Sequence, residues 1–237
     1  PPTHGQAPPK LILADLAKVG LQPSYGSPTL FPIRDDLFAL MINHEYGCQG
    51  MNAAQVTTAT VRARAEIHTL IAGLRQLGGP WANCRIVATG NQIGTREGRR
   101  IAGHYTITAD DLIAGRRHPD AICEVSFPVD VHATDPRQGK SYGSEGIRSQ
   151  PYDIPLRSLI ARDADSLLMA GRCISGDFLA HASYRVTGNA VVMGEAAGLL
   201  AALAARQNCL PQEVSWKDFA TARATAQAYS RQTAASL

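Results

Sequence analysis

The chain has 237 residues, of which 45% are hydrophobic and 18% are charged, and this composition is typical of a soluble globular protein. Its formal net charge of +3 is too small to indicate a nucleic-acid partner or binding to a membrane surface. A chain of this length can bury a sizeable core in one or two domains.

Five cysteines are scattered along the chain without any CxxC pair, at positions 48, 84, 123, 173 and 209. The sequence therefore offers no framework for a zinc site or a cysteine-bound iron–sulfur cluster, and we predict no metal. Their odd number and scatter favour a reducing compartment, so we expect a cytoplasmic protein. The first nine residues, PPTHGQAPP, are not a signal peptide and look like an internal linker, so nothing about targeting follows from them.

The N-terminal third alternates between irregular and helical patterns. Residues 1–30 hold six of the fourteen prolines and are predicted to be an irregular linker, apart from a helical stretch at 11–19. Residues 37–42 form an apolar strand candidate. A helix is predicted after Thr58, because apolar residues recur at helical spacing until Gly78 and Gly79 stop it. His68 lies on that apolar face, where a packed core histidine is a better interpretation than a ligand.

Residues 85–132 carry mostly strand patterns. We predict strands at 85–90 and 98–107, then a short helix with a Thr108–Asp111 capping box that ends at Gly115. Residues 121–132 continue as an extended segment in which Pro128 limits pairing. After a polar surface loop at 137–150, these patterns predict that residues 31–150 form a domain with a largely antiparallel sheet.

The chain then returns to apolar patterns. The run Leu167 to Ala170 stops at Gly171 and predicts a short buried strand. A linker follows, and a long Ala-rich helix opens near Thr187, which with Asn189 is a candidate helix cap. A C-terminal helix is predicted at 215–237, with a Ser215–Asp218 capping box, an apolar stripe from Phe219 to Tyr229 and a frayed tail beyond Ser230.

The apolar part of the Ala-rich helix, AVVMGEAAGLLAALAA, could be mistaken for a membrane span. Its 16 residues include Glu195, so we predict that it is too short and too polar to cross a bilayer. Small residues instead form a stripe that would let the helix lie close on a sheet, at positions 194, 198, 201 and 205.

Four segments in one order carry a family resemblance, namely GTREGRRIAGHYTITADDL (94–112), FPVDVH (127–132), YDIPLRSLI (152–160) and the region 167–205. They resemble the FAD-dependent oxidoreductase family related to the flavin subunit of heterodisulfide reductase and, more distantly, fumarate reductase flavoproteins. The resemblance covers most of the chain between Thr57 and about Val214.

This resemblance implies an α/β fold with an α+β substrate domain at 31–150. Residues 151–214 would be the closing strand and helix of a glutathione reductase-like FAD-binding domain that has an incomplete Rossmann-type sheet. It also implies FAD as cofactor and hydride transfer between the flavin and a small organic substrate.

The family's usual opening motif is missing from the chain. FAD domains of this type begin with a strand and a GxGxxG turn that receives the pyrophosphate, and no GxGxxG occurs here. We therefore expect this chain to be the C-terminal part of a flavoprotein, inactive alone, whose N-terminal half comes from the same gene or a separate chain. The first alternative is a non-catalytic subunit that completes a flavoprotein fold, and the second is a metal-dependent hydrolase.

Cofactor contacts are implied at two places. Ala170, Gly171 and Arg172 match the family position that contacts the ribityl chain, although related enzymes have an acidic residue where this chain has Arg172. An arginine there would serve as a donor only, and a surface arginine is the alternative.

The second place is the start of the Ala-rich helix. Gly188, Asn189 and Ala190 can present backbone N–H groups to the flavin's pyrimidine oxygen. An ordinary helix start is the alternative.

Four residues are candidates for catalysis. In fumarate reductase-like enzymes an arginine at the place of Arg185 binds substrate carboxylate and takes part in proton transfer, and His181 is the nearest group that titrates near neutral pH. Arg96 belongs to a charged block in which Glu97 would orient an arginine, and Gly98 replaces the family's usual Ser or Thr. A structural ion-pair network is the alternative for that block. His132, two residues after Asp130, is a candidate general acid or base.

Overall fold

The computed structural model describes residues 9–133, 135, 137 and 142–235, which form two compact units. Pro1–Arg96 and His132–Gly143 belong to the first unit, and Glu97–Val131 and Ser144–Leu237 belong to the second. Residues 1–8 of the predicted linker, residues 138–141 of the predicted polar loop and the last two residues of the tail lie outside the described part.

The described residues form six helices and six short strands. They are α1 (Pro9–Lys18), β1 (Thr29–Arg34), β2 (Leu37–Met41), α2 (Ala53–Gln76), α3 (Ala109–Ala114), β3 (Ala121–Val125), β4 (Val131–His132), β5 (Tyr142–Gly143), β6 (Tyr152–Pro155), α4 (Phe178–Tyr184), α5 (Thr187–Gln207) and α6 (Trp216–Ala235). Single turns of 3-10 helix connect several of them. The architecture is α/β, with small sheets and six helices in the described part.

The first unit packs a hairpin and two helices around a small core. Strands β1 and β2 pair antiparallel with Thr29 opposite Met41, which confirms the strand predicted at 37–42. Helix α1 confirms the helical stretch predicted at 11–19. The core consists of five buried aliphatic side chains, Ile12, Leu16, Ile42, Leu70 and Leu74.

The prediction for His68 is wrong, because its side chain is exposed. Helix α2 buries Ala59, Ala63, Leu70 and Leu74 instead. Two residues turn an α-helix by about 200°, so a buried Leu70 places His68 on the opposite face. The helix also begins earlier than predicted, since the Asn52 side chain accepts from the Gln55 N–H and caps it there.

The second unit is built around β3 and β6, which pair antiparallel with Val125 opposite Tyr152. Helix α5 packs against β3, and Phe219 of α6 joins the same buried core. The predicted capping of α3 is confirmed, because the Thr108 N–H donates to Asp111 Oδ2 at 3.0 Å and Gly115 ends the helix at φ 59°.

Three strand predictions are wrong in the described structure, at 85–90, 98–107 and 167–170. The last two segments make only isolated bridges, Gly103 with Ala161, Ile107 with Gly176, and Leu168 with Ile160. The 167–170 segment is also partly exposed rather than buried. A strand needs a neighbour that completes its hydrogen-bond ladder, and the described sheets are the two-stranded pairs β1–β2, β3–β6 and β4–β5.

Helix α5 differs from its prediction in its cap and in its buried face. Val186 stands at the N-cap without a side-chain hydrogen bond, and the Asn189 amide donates to the Tyr184 carbonyl at 3.4 Å, so neither Thr187 nor Asn189 caps the helix. The buried face is Met193, Ala196, Leu200 and Ala204, while the small residues at 194, 198, 201 and 205 are exposed. Burial of the larger side chains removes more apolar area from water, which decides the face that packs.

Helix α5 has 21 residues, which include the apolar stretch of 16, and it is the one described helix long and apolar enough to cross a membrane. A helix of this length and composition can be either a membrane span or a core helix of a soluble protein.

Helix α6 keeps only the beginning of its predicted pattern. The Asp218 N–H donates to Ser215 Oγ at 3.1 Å, and Phe219 is fully buried. Ala222 is partly buried, whereas Ala226 and Tyr229 are exposed, so the predicted apolar stripe ends at Ala222. The helix continues to Ala235 rather than fraying beyond Ser230.

Candidate functional site

The turn at Gly171 packs against the first half of α5. Gly171 adopts φ +65°, which glycine tolerates best, and it opens a 3-10 turn with Arg172 and Cys173. Its N–H donates to Met193 Sδ at 3.2 Å, and a Cβ at this position would lie 3.3 Å from the Ala190 Cβ. The end of the 167–170 segment and the start of α5 therefore meet directly.

The start of α5 presents a group of backbone donors. The first intrahelical hydrogen bond runs from the Ala190 N–H to the Val186 carbonyl at 3.1 Å, and the N–H groups of Thr187, Gly188 and Asn189 have no acceptor among the described residues. Thr187 and Gly188 are exposed, and no described atom lies within 4 Å of where a Gly188 Cβ would be. Aligned donors at the positive end of a helix suit an anionic or electron-rich oxygen.

The predicted linker between Arg172 and Thr187 contains the helix α4. The Asp177 carboxylate caps it by accepting from the Ala180 N–H at 2.7 Å, and it also accepts from the Ala109 N–H. The Tyr184 hydroxyl donates to the Ile174 carbonyl at 3.2 Å, and its ring covers Gly176 so closely that a Cβ there would collide with it. This packing fixes the positions of the residues on α4.

His181 and Arg185 are four residues apart, so α4 and its C-cap place them on one face. The Arg185 guanidinium donates from Nη1 to Glu97 Oε1 at 2.5 Å and from Nη2 to the Asp130 carbonyl at 2.6 Å. Only 6% of the Arg185 side chain is exposed. The two Arg185 nitrogens thus each donate to an acceptor within the second unit, and these contacts orient the guanidinium.

His181 is fully buried, and neither ring nitrogen has a hydrogen-bond partner among the described residues. Its Nδ1 lies 3.5 Å from Glu97 Oε2 without hydrogen-bond geometry. Burial, helped by the positive charges of Arg100, Arg185 and Arg172, lowers the pKa of His181 to about 4. The imidazole is therefore neutral at pH 7.

Glu97 connects these groups, and we refer to Glu97, Arg100, Arg172, His181 and Arg185 as the arginine cluster. Arg100 Nη1 lies 3.9 Å from Glu97 Oε2, and Arg172 acts on His181 through its charge. Two guanidinium groups therefore lie within 4 Å of one carboxylate, and the charges of three act on one neutral imidazole. The sequence indicated that Glu97 would orient an arginine, but it did not show that the arginine is Arg185.

The other two catalytic candidates, Arg96 and His132, belong to the first unit. The His132 ring lies 4.9 Å from the His44 ring and 6.1 Å from the Tyr25 ring, measured between centroids. The structure brings Gly171, Gly188, Asn189 and Ala190 together in the second unit, with Ala170 and Arg172 on either side of Gly171 in the chain. Among the described residues, no group of three or more His, Cys, Asp or Glu side chains is arranged to hold a metal ion.

The sequence grouped His181 with Arg185, four residues later, but placed both in a linker. Helix α4 was missed because it spans only seven residues, too few for an apolar period to show. Glu97 and the Asp130 carbonyl, which hold Arg185, come from positions 88 and 55 residues away in the chain and carry no local signal.

No curated protein and no solved structure matches the chain. A family model described as FAD dependent oxidoreductase matches residues 20–223, which is most of the chain. The donors at the start of α5 lie beside the Gly171 turn and the arginine cluster within the matched residues. The chain therefore belongs to the FAD-dependent oxidoreductase family, and its cofactor is FAD.

Proposed function

We propose that this chain supplies the flavin-facing helix start and the substrate-facing arginine and histidine of an enzyme that transfers hydride between FAD and a small organic substrate. The observation that carries the proposal is the packing of Gly171 against Ala190, beside the N–H groups of α5. In this proposal the enzyme is related to the flavin subunit of heterodisulfide reductase.

The residues at this place fit one end of a flavin ring. The N–H groups of Thr187, Gly188 and Asn189 match a ring oxygen that gains negative charge, and Gly188 has no side chain to obstruct it. Ala170 and Gly171 border the same place, and Arg172 adds exposed donors. When bound, FAD supplies the acceptor or donor of the hydride.

Arg185 and His181 have different roles in this proposal. An arginine side chain does not lose its proton in proteins, so Arg185 binds and orients the substrate. His181 is neutral at pH 7, so one ring nitrogen can accept a proton and the other can donate a hydrogen bond. Burial of both side chains keeps water away from them. We also propose Arg96 as a substrate contact and His132 as a general acid or base.

We also propose that polypeptide outside this chain holds the FAD pyrophosphate. The chain contains no GxGxxG motif, and the start of α5 is proposed here to face the ring instead. The partner is thus an N-terminal FAD-binding half, encoded in the same gene or separately.

The test is to combine the chain with that N-terminal half and follow the flavin spectrum. We expect a yellow protein whose visible absorption bleaches when a substrate or suitable reductant is added. A colourless complex would overturn the proposal, and a yellow complex that no reductant bleaches would favour the non-catalytic subunit.

In the same complex, we expect Arg185→Ala to slow substrate-dependent bleaching by about 100-fold while FAD content stays unchanged, because the loss removes a preorganised cationic donor. Arg206→Ala, at the exposed end of α5, is the matched control and should leave the rate unchanged. Equal rates for Arg185→Ala and the unmodified protein would assign Arg185 a structural role.

A further inference from the structure

The chain passes three times from one unit to the other. The crossings lie between residues 96 and 97, between residues 131 and 132, and between residues 143 and 144. Strand β4 contains the second crossing, β5 ends at the third, and the two strands pair with each other. We refer to residues 85–100 as the first connection and to residues 127–132 as the second connection. The strand pair therefore supports the second connection and leaves the first without such support.

The backbone of the first connection has no partner of its own kind. Residues 85–100 make no backbone–backbone hydrogen bond with the described residues, and the next backbone donor with an acceptor is the Ile101 N–H. Before the crossing, Arg64 Nη2 donates to the carbonyls of Gly90 and Asn91 at 3.2 Å each. Hydrogen bonds from side chains therefore hold this connection, since its peptide groups have no ladder.

The second connection, in contrast, is fastened to helix α4 by its own backbone. The Asp130 N–H donates to the Ala182 carbonyl at 3.3 Å, and the Phe127 carbonyl accepts from Ser183 Oγ at 2.6 Å. Ala182 and Ser183 are both buried residues of α4. Residues 127–130 thus have a fixed place beside the helix whose C-cap is Arg185.

Arg185 makes one hydrogen bond to each connection. Its Nη1 donates at 2.5 Å to Oε1 of Glu97, the first residue after the first crossing, and its Nη2 donates at 2.6 Å to the carbonyl of Asp130, just before the second. The Arg185 side chain is 6% exposed, whereas that of Glu97 is 43% exposed. A rigid, permanently charged fork that is buried in this way can hold two acceptors in one arrangement.

We propose that Arg185 is a latch that holds the first connection to the second. While both hydrogen bonds are made, Glu97 keeps a fixed place relative to residues 127–130 and to α4. When Glu97 leaves Arg185 and turns into water, the first connection has no backbone hydrogen bond to the described residues before Ile101, and it becomes mobile. This role involves neither flavin nor substrate, so it does not depend on the proposed function.

The experiment measures backbone order parameters by ¹⁵N relaxation in the 237-residue chain. In the unmodified chain we expect about 0.85 at Gly98 and Arg99, the value of a rigid backbone. Both Arg185→Met and Glu97→Gln should lower these order parameters below about 0.6, because each variant removes the same charge-assisted hydrogen bond. The double variant should fall no further, since two changes to one contact are not additive.

Two controls distinguish release of the latch from general loosening. Asp130 should stay near 0.85 in both single variants, because its N–H keeps the Ala182 carbonyl as acceptor. Arg117→Met is the matched variant, since Arg117 is 56% exposed and pairs with Glu124 and Asp153 elsewhere in the second unit. It should leave the order parameters at Gly98 and Arg99 unchanged.

Three outcomes would overturn the latch. Order parameters at Gly98 and Arg99 that lie below about 0.6 in the unmodified chain would show that the first connection is never held. Values near 0.85 in Arg185→Met would show that other contacts hold it. A fall at Asp130 as large as that at Gly98 would show that α4 itself has loosened. If Arg185→Met does not fold, Arg185→Lys replaces it, and its single ammonium, which lacks the fork, should also lower the order parameter at Gly98.

Discussion

The buried imidazole of His181 makes the stability of the chain depend on pH. Its pKa in the folded chain is about 4, whereas a histidine in an unfolded chain titrates near 6.5. Between these two values the unfolded chain binds more protons than the folded one. The free energy of unfolding therefore falls as the pH is lowered through this window, and the loss is complete below pH 4.

We expect His181→Gln to remove this dependence. From pH 7 to pH 4.5 the unmodified chain should lose about 2 kcal/mol from this residue, and the variant should not. Urea unfolding at the two pH values measures the difference, with His68→Gln as control because that side chain is exposed. A variant that loses as much stability as the unmodified chain would assign the acid sensitivity to other groups.

At the scale of elements, the contact between the Gly171 turn and α5 depends on a missing side chain. A Cβ at position 171 would be strained by the φ of +65° and would lie 3.3 Å from the Ala190 Cβ. Gly194 lies on the same helix, is exposed, and has no described atom within 4 Å of a Cβ position. The two glycines therefore respond oppositely to alanine.

We expect Gly171→Ala to lower the free energy of unfolding by about 1–2 kcal/mol, because the strain adds to the contact with Ala190. Gly194→Ala should raise it by about 0.5–1 kcal/mol, since alanine is the better helix former. Chemical denaturation of both variants checks the pair. A stabilised Gly171→Ala would show that the turn moves freely away from α5.

Sequence patterns predicted those elements whose signals are local. The Thr108–Asp111 capping box and the glycine at 115 determine α3 within eight residues, and the structure confirms it. The buried face of α5 could not be predicted, because Met193 and Leu200 compete with a stripe of small residues and tertiary packing decides. The strand predicted at 167–170 is wrong because a strand needs a neighbour paired along its length, and this segment makes only an isolated bridge. In the candidate site, Gly171 and the start of α5 were predictable, whereas the partners of Arg185 were not.

At the scale of the whole molecule, FAD is the cofactor of a chain without a GxGxxG turn. The described donors at the start of α5 can serve one ring oxygen, which is a small part of the surface of FAD. Affinity for a cofactor of that size depends on the sum of many contacts. We infer that most of the binding energy for FAD comes from polypeptide outside this chain.

We expect the 237-residue chain alone to bind FAD about 100-fold or more weakly than a complex with the proposed N-terminal half. Riboflavin, which lacks the pyrophosphate, should bind the isolated chain about as weakly as FAD does. Quenching of flavin fluorescence measures both affinities. Stoichiometric binding of FAD at about 1 μM, with riboflavin much weaker, would show that this chain cradles the pyrophosphate itself.

The imbalance of charge in the arginine cluster also affects how fast a ligand arrives. The cluster contains three guanidinium groups and one carboxylate, and Arg172 is exposed. The resulting positive potential reaches about 10 Å into a solution of 0.1 M salt, and further at lower salt. Anions therefore collect at this surface before they bind, so the association rate constant of an anionic ligand falls as ionic strength rises, while that of a neutral analogue stays constant.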